Sequence, residues 1–221
     1  MFEGSPKMLL EELFTSTIGL NRLITEAINI NEKLNLPVNT YSSPAKCDLE
    51  ESWTAVEYDL SDLIAMPPKS LGRALGIYLL LMTKDQAAIH GVPALKRFPI
   101  KHPIDPKLYT RDRMRQTHDI VHILTNFNTS QEGEIGLQAF YLAQRNSPLS
   151  TLQIMQTIGN FWARKVGKDY LSAIAEGLEM GVQAKPYIAL QRIEERFTHD
   201  IEEIRTDMNI VPGQGKTWNW S

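Results

Sequence analysis

The chain has 221 residues, 43% of them hydrophobic and 22% charged, with a formal net charge of -3. That is an ordinary globular composition, long enough to bury a sizeable core, and its balance argues against a dedicated nucleic-acid binder. A single cysteine, Cys47, excludes an internal disulfide framework and a thiolate metal site; it is read as inert.

Met1 to Glu12 has no basic segment followed by an apolar stretch, so no secretory signal is read there. Ser5-Pro6 opens a helix, and Leu9, Leu10, Leu13, Phe14, Leu20, Leu23, Ile24, Ala27 and Ile28 recur close to helical spacing until Leu36-Pro37. After a polar loop, the spacing predicts a second helix from Leu49 to Ile64, ended by Pro67-Pro68. Ser70 caps a third, Leu71 to Asp85. The longest apolar run, Ile77 to Met82, falls far short of the roughly 20 residues a bilayer span needs, so the chain is read as soluble or peripherally bound. Pro93, Pro99, Pro103 and Pro106 make the next stretch irregular. Helices are then expected at Arg111 to Leu124, Glu134 to Arg145, Thr151 to Ala163, Lys168 to Gln183 and Pro186 to Met208, with Asn126 to Gly133 a loop. Strand alternation, internal repeats and a long linker are all missing from the pattern. The expectation is an all-α, single-domain bundle of seven to eight helices.

The most informative residues are His118, Asp119, His122 and Glu134, in the pattern H-D-x-x-H, eleven residues, then E. Two imidazoles four apart on a helix point the same way and can grip one divalent cation, which a following carboxylate can complete. At about 100° per residue, Arg111, Arg115, His118 and His122 form one stripe, flanked by Asp112 and Asp119, with Met114, Ile120, Val121 and Leu124 opposite. A solvated polar face with an ordinary Arg115–Asp119 pair is the plainer reading. Metalloproteases with H-E-x-x-H share the histidine spacing, but Asp119 is one methylene shorter than their glutamate. His-Asp phosphohydrolases lack the second histidine. Lys96, Arg97, Lys101, Lys107, Arg111, Arg113 and Arg115 are either a solvated basic surface or the approach to an anionic target. Gly72-x-x-x-Gly76 and Gly177-x-x-x-Gly181 read first as close helix packing, and second as the floor of a groove for a long apolar ligand, with Leu79 and Leu80 beside the first pair. Trp218 and Trp220 can pack on the body or touch a membrane interface. His90, His102 and His199 lack ligand spacing.

The run from Tyr109 through Arg113, Arg115, His118, Asp119 and His122 to Thr125, continued by Gly133-Glu134-Ile135, resembles the signature of the coenzyme Q biosynthesis protein 4 family. Ser70-Leu71-Gly72-Arg73, Glu194-Glu195-Arg196, Asp200 to Arg205 and Asn209-Ile210-Val211-Pro212 resemble its flanking segments, so the likeness covers roughly residues 60 to 212. The chain departs from the pattern at Asn126, where the family commonly has glycine. The resemblance implies an all-helical fold and a divalent metal at His118, Asp119, His122 and Glu134. It also implies a peripheral membrane role in quinone synthesis on a polyprenylated aromatic acid: removal of the ring carboxyl at C1, coupled to hydroxylation there. Two imidazoles and no thiolate lean toward zinc, with magnesium next. Without a leader, the expected location is cytoplasmic and peripherally membrane-associated.

Two functions stay open. In one, a metal-dependent lyase uses Arg111 and Arg115 to orient the anionic head while Gly72, Gly76, Leu79 and Leu80 line a pocket for the lipid tail. In the other, the chain is a prenyl-lipid carrier or a scaffold for other quinone-biosynthesis proteins. Expected partners are a polyprenyl lipid or prenyl phosphate, a membrane surface and those proteins, with a homodimer open and nucleic acid excluded.

Overall fold

The computed structural model describes residues 43–85, 106–145 and 148–213. The helix expected after Ser5-Pro6, most of the proline-rich stretch with Lys96, Arg97 and Lys101, and His90, His102, Trp218 and Trp220 lie outside them. Among the described residues the protein is all-α: α1 (Ser43–Glu51), α2 (Leu60–Ala65), α3 (Leu71–Asp85), α4 (Pro106–Thr125), α5 (Gln131–Arg145), α6 (Pro148–Trp162), α7 (Lys168–Gln183) and α8 (Ile201–Met208). Two 3-10 turns, Ile188–Leu190 and Ile193–Arg196, precede α8, and Ser70 makes an isolated antiparallel bridge with Asp200.

The α3 and α7 helices have the expected bounds, and the Ser70 hydroxyl accepts the Arg73 N–H at 3.3 Å. Three helices begin earlier than expected. The α4 and α6 helices start on Pro106 and Pro148, since the first helical residue needs no N–H donor. The α5 helix starts at Gln131 because the Ser130 hydroxyl accepts from Gly133 N–H at 3.1 Å, a cap that offsets the glycine's low propensity.

Two expected helices are corrected. The stretch 49–64 is not one helix. Ser52 turns left-handed (φ 51°), and Trp53 N–H closes onto Asp48 O at 2.9 Å, ending α1 in a Schellman-type stop. Asp59 N–H then donates to the Asp62 carboxylate at 3.1 Å and starts α2. The stretch 186–208 breaks into the two turns and α8. Tyr187 is left-handed (φ 61°), and two carbonyls of the turns bond to side chains of α4. Thr117 Oγ1 donates to Ala189 O at 3.1 Å, and Arg113 donates to Gln191 O at 3.0 Å. The apolar spacing that mimicked a helix comes from Ile188, Leu190, Ile193 and Phe197, all buried from irregular backbone.

The described residues group into two compact units, those up to 128 together with those from 183 on, and those from 129 to 182. Neither crossing, at 128–129 nor at 182–183, has the Pro/Gly/Ser-rich composition of a linker. In the second unit Ile135, Ala139, Ile154, Ala173 and Ile174 form a core. A Cβ on Gly177 would lie 2.1 Å from Gly136 O, so this glycine lets α5 and α7 touch backbone to backbone.

The first unit is held by a buried polar knot. Arg113, 0% exposed, makes two bonds to the Glu194 carboxylate (2.7 and 2.9 Å), one to Gln116 Oε1 (2.9 Å) and the one to Gln191 O. Burial works against its charge, and Glu194 more than restores it, so the guanidinium stays above its ordinary range. Trp53 lies under both Arg113 and Arg192, with Cζ atoms 5.0 and 5.1 Å from its ring centroid. Asp48 accepts from Arg192 Nε at 2.7 Å and from the Tyr109 hydroxyl. Arg113 therefore belongs to neither reading of the basic cluster: it is a packing element.

Removing one partner of a fully buried pair leaves the other charge unanswered. Arg113→Met alone should cost about 3–5 kcal/mol, and Arg113→Met with Glu194→Leu markedly less. Urea unfolding of parent, single and double variants checks this; a double variant less stable than the single would contradict it. Burial and then Asp48 push the Tyr109 phenol above its ordinary range. As pH rises past about 10 the unfolded chain loses a proton the folded chain keeps, so stability should fall. Tyr109→Phe should flatten that fall in alkaline unfolding curves.

Candidate metal centre

The site is built on the last two turns of α4. His122 is buried and its Nδ1 lies 2.9 Å from Phe127 O. A carbonyl only accepts, so Nδ1 carries the hydrogen and Nε2 keeps its lone pair. That nitrogen faces His118 Nε2 at 3.2 Å, the rings meeting edge to face with centroids 4.6 Å apart. Tyr78 of α3 stacks on the other side of the His122 ring at 6.3 Å and 21°. Phe127 O and Tyr78 thus fix the ring from two directions, as partners behind a metal-ligating histidine do. Neither was singled out from sequence. Tyr78 read as one of α3's apolar positions, and a backbone carbonyl leaves no sequence signal.

Phe127 O is in place because α4 ends in a defined way. Asn126 takes the left-handed conformation (φ 63°), and its side chain donates to Gly213 O at 3.2 Å. Glycine and asparagine are the residues that suit this position, which accounts for the one departure noted in the motif. Gly213 N–H returns to Thr125 O at 2.9 Å. Arg205 donates to Leu124 O (2.9 Å) and Ile123 O (2.7 Å), bringing a cation to the negative end of α4.

Glu134 stands in the first turn of α5. His118 and His122 each offer an imidazole nitrogen, and Glu134 is a carboxylate able to join them on a cation. The group can hold a metal ion. Two imidazoles on a tetrahedral zinc at about 2.0–2.1 Å would have nitrogens about 3.3 Å apart, close to the separation here. Asp119 is buried next to the pair in sequence and is outside this group of three. Arg115 is exposed, 4.0 Å from Asp112. Arg111 is on α4, but its side chain lies outside the described part.

The α3 residues separate. A Cβ on Gly72 would meet Met66 Sδ at 2.1 Å, and one on Gly76 would meet Ile64 and Leu63 at 3.0 Å, so both glycines press against α2 and its exit. Close packing occupies that face. Leu79 is buried and Leu80 exposed. Among the described residues no helix is long and apolar enough to cross a membrane.

Comparison with known proteins follows the same residues. The family model for coenzyme Q (ubiquinone) biosynthesis protein Coq4 matches residues 51–214, which hold the whole motif and its structural supports. The chain belongs to the Coq4 family. A mitochondrial ubiquinone biosynthesis protein COQ4 of Yarrowia lipolytica is 30% identical over 158 residues, covering 71% of this chain and 57% of that protein. A COQ4 homolog of Aedes aegypti, also named as mitochondrial, is 32% identical over 117 residues, 52% of this chain and 42% of that one. The chain thus spans about half the length of the curated relatives it matches. A crystal structure of a Nostoc punctiforme protein named for ubiquinone biosynthesis shares the fold, with TM-score 0.68 and 22% identity over 91% of this chain and 95% of that one.

Purified Coq4-family chain should take up one divalent cation, and His118→Ala with His122→Ala should abolish that uptake while the helical spectrum persists. Elemental analysis after dialysis checks it. Equal metal in the double variant and the parent would overturn the assignment.

Proposed function

We propose that this chain serves quinone synthesis by binding the head of a polyprenylated aromatic acid, or a prenyl phosphate, beside a divalent cation held by His118, His122 and Glu134, with Asp119 as the further carboxylate. The reaction that fits is removal of the ring carboxyl at C1 as CO2, coupled to hydroxylation of that carbon by an oxidant supplied from outside the chain. The observation that carries the reading is the His122 imidazole, held at Nδ1 by Phe127 O with its Nε2 facing His118 Nε2 at 3.2 Å. A hydrogen bond that holds the far nitrogen of the ring is what a ligand histidine needs and what a solvated polar face does not.

A bound divalent cation supplies Lewis acidity toward a carboxylate or phenol oxygen. The chain's own residues do the rest. Arg115, exposed on the same stripe as the histidines, offers a planar fork to an anionic head. Arg111, one turn earlier in sequence, joins it. The apolar tail would run along α3 on the exposed side of Leu80, since Leu79 is buried and Gly72 and Gly76 are already covered. Zinc suits the two imidazoles and magnesium is the second choice. The protein would work at a membrane surface without crossing it, alongside other quinone-biosynthesis proteins.

Metal-loaded protein given a prenylated 4-hydroxybenzoate in air should release CO2 and form the C1-hydroxylated ring, read by isotope-labelled carboxyl and mass spectrometry. Tight binding with no CO2 would replace the enzyme by a lipid carrier or scaffold. Arg115→Lys should weaken a charged prenyl ligand about tenfold and leave the matching neutral alcohol unchanged, because lysine cannot reproduce the two-toothed contact. Equal losses for both ligands in binding titrations would remove Arg115 from the site.

A further inference from the structure

The α6 helix carries apolar side chains on its outward face as well as Ile154 in the core. Pro148–Trp162 contains no charged residue. At about 100° per residue, Met155, Ile158 and Trp162 share one face, and they are 57%, 49% and 87% exposed. Gly159 lies on that face with nothing within 4 Å of its Cβ position. The inward-facing residues include Ser150, Gln156 and Ile154, all buried. Ser150 donates inward to Gln138 at 2.9 Å, and Gln153 Oε1 is buried with no bonding partner. A helix that turns glutamines inward and a methionine, an isoleucine and a tryptophan outward gains nothing from water on its outer face.

The C-terminal end of this face is basic, with Asp169 directly after the last of its cations. From Ile135 to Lys168 the chain has no aspartate or glutamate; its charged residues there are Arg145, Arg164, Lys165 and Lys168. The last three follow directly on Trp162 and are exposed. Lys165 N–H closes onto Asn160 O at 2.8 Å with Arg164 left-handed (φ 57°), so the basic turn is fixed at the helix end beside Trp162.

We propose that α6 is an interfacial helix that lays Met155, Ile158 and Trp162 into an anionic lipid surface, with Arg164, Lys165 and Lys168 on the headgroups. An exposed aromatic at the end of an uncharged apolar face, followed by cations, is the chemistry of that interface. A second copy of the same face would set Arg164, Lys165 and Lys168 against the same three cations, with one acid, Asp169, next to them in sequence. The inference rests on the reading of a peripheral membrane role and names the surface that carries it.

The test uses the full chain and co-sedimentation with two vesicles, pure phosphatidylcholine and phosphatidylcholine with about one third phosphatidylglycerol. The parent should bind the anionic vesicles and lose binding in high salt. Ile158→Ser with Trp162→Ser should lower binding at least tenfold. Each of Arg164→Ala, Lys165→Ala and Lys168→Ala should lower it about fivefold. All these side chains are exposed, and melting curves confirm the fold. If the parent binds and the variants bind equally, the surface assignment is overturned while the membrane role stands. If the parent binds neither vesicle, both fall. If Ile158→Ser with Trp162→Ser splits a dimer in gel filtration and leaves vesicle binding unchanged, the face is a protein contact and the proposal is overturned.

Discussion

A guanidinium taken wholly out of water has to be answered by acceptors held in place, and Arg113 is answered by Glu194, Gln116 and Gln191 O. Because three of those four bonds reach across about eighty positions of sequence, they tie α4 to the two 3-10 turns. This stretch in turn gives up regular helix, since Ala189 O and Gln191 O accept from Thr117 and Arg113 in place of main-chain N–H groups. Trp53, Asp48, Tyr109 and Arg192 close the remaining sides. Once α4 is pinned on this face, its other face, with His118 and Arg115, is the one left partly open.

The end of the same helix is governed by a second set of tertiary bonds. Four carbonyls at a helix C-terminus have no partner within the helix. Here Ile123 and Leu124 are met by Arg205 and Thr125 by Gly213. The chain then turns through left-handed Asn126 and delivers Phe127 O to His122. The orientation of the His122 ring is thus an outcome of helix termination. Arg205 and Asn126 act on it through backbone, one residue or more away from any ligand atom.

The bounds of α3 and α7 were legible in the sequence to the residue. Starts were less so, because Pro106, Pro148 and Ser130 open helices earlier than the apolar spacing does. The glycine pairs were legible as packing, and the structure fills the space beside Gly72 and Gly177 with neighbouring helices or turns. The α6 helix was legible only as a helix: its outward apolar face requires knowing which side the rest of its unit covers.

What the sequence by itself determined was local. The spacing of His118 and His122 puts both rings on one side of a helix because the α-helix repeats every 3.6 residues. The motif with Glu134 carries the family membership, and hydrophobic periodicity carries the all-α class. What only the tertiary structure decided depends on groups with no one-dimensional signature. The stretch 186–208 reads as helix because buried apolar residues recur at the right interval, yet its hydrogen bonds go to side chains of α4. Arg113 reads as one cation in a basic run, yet it is buried because an acid some eighty residues away lies against it. The His122 tautomer is set by a main-chain oxygen. Periodicity reports which residues are buried; it does not report which partner, distant in sequence, satisfies the polar groups buried with them.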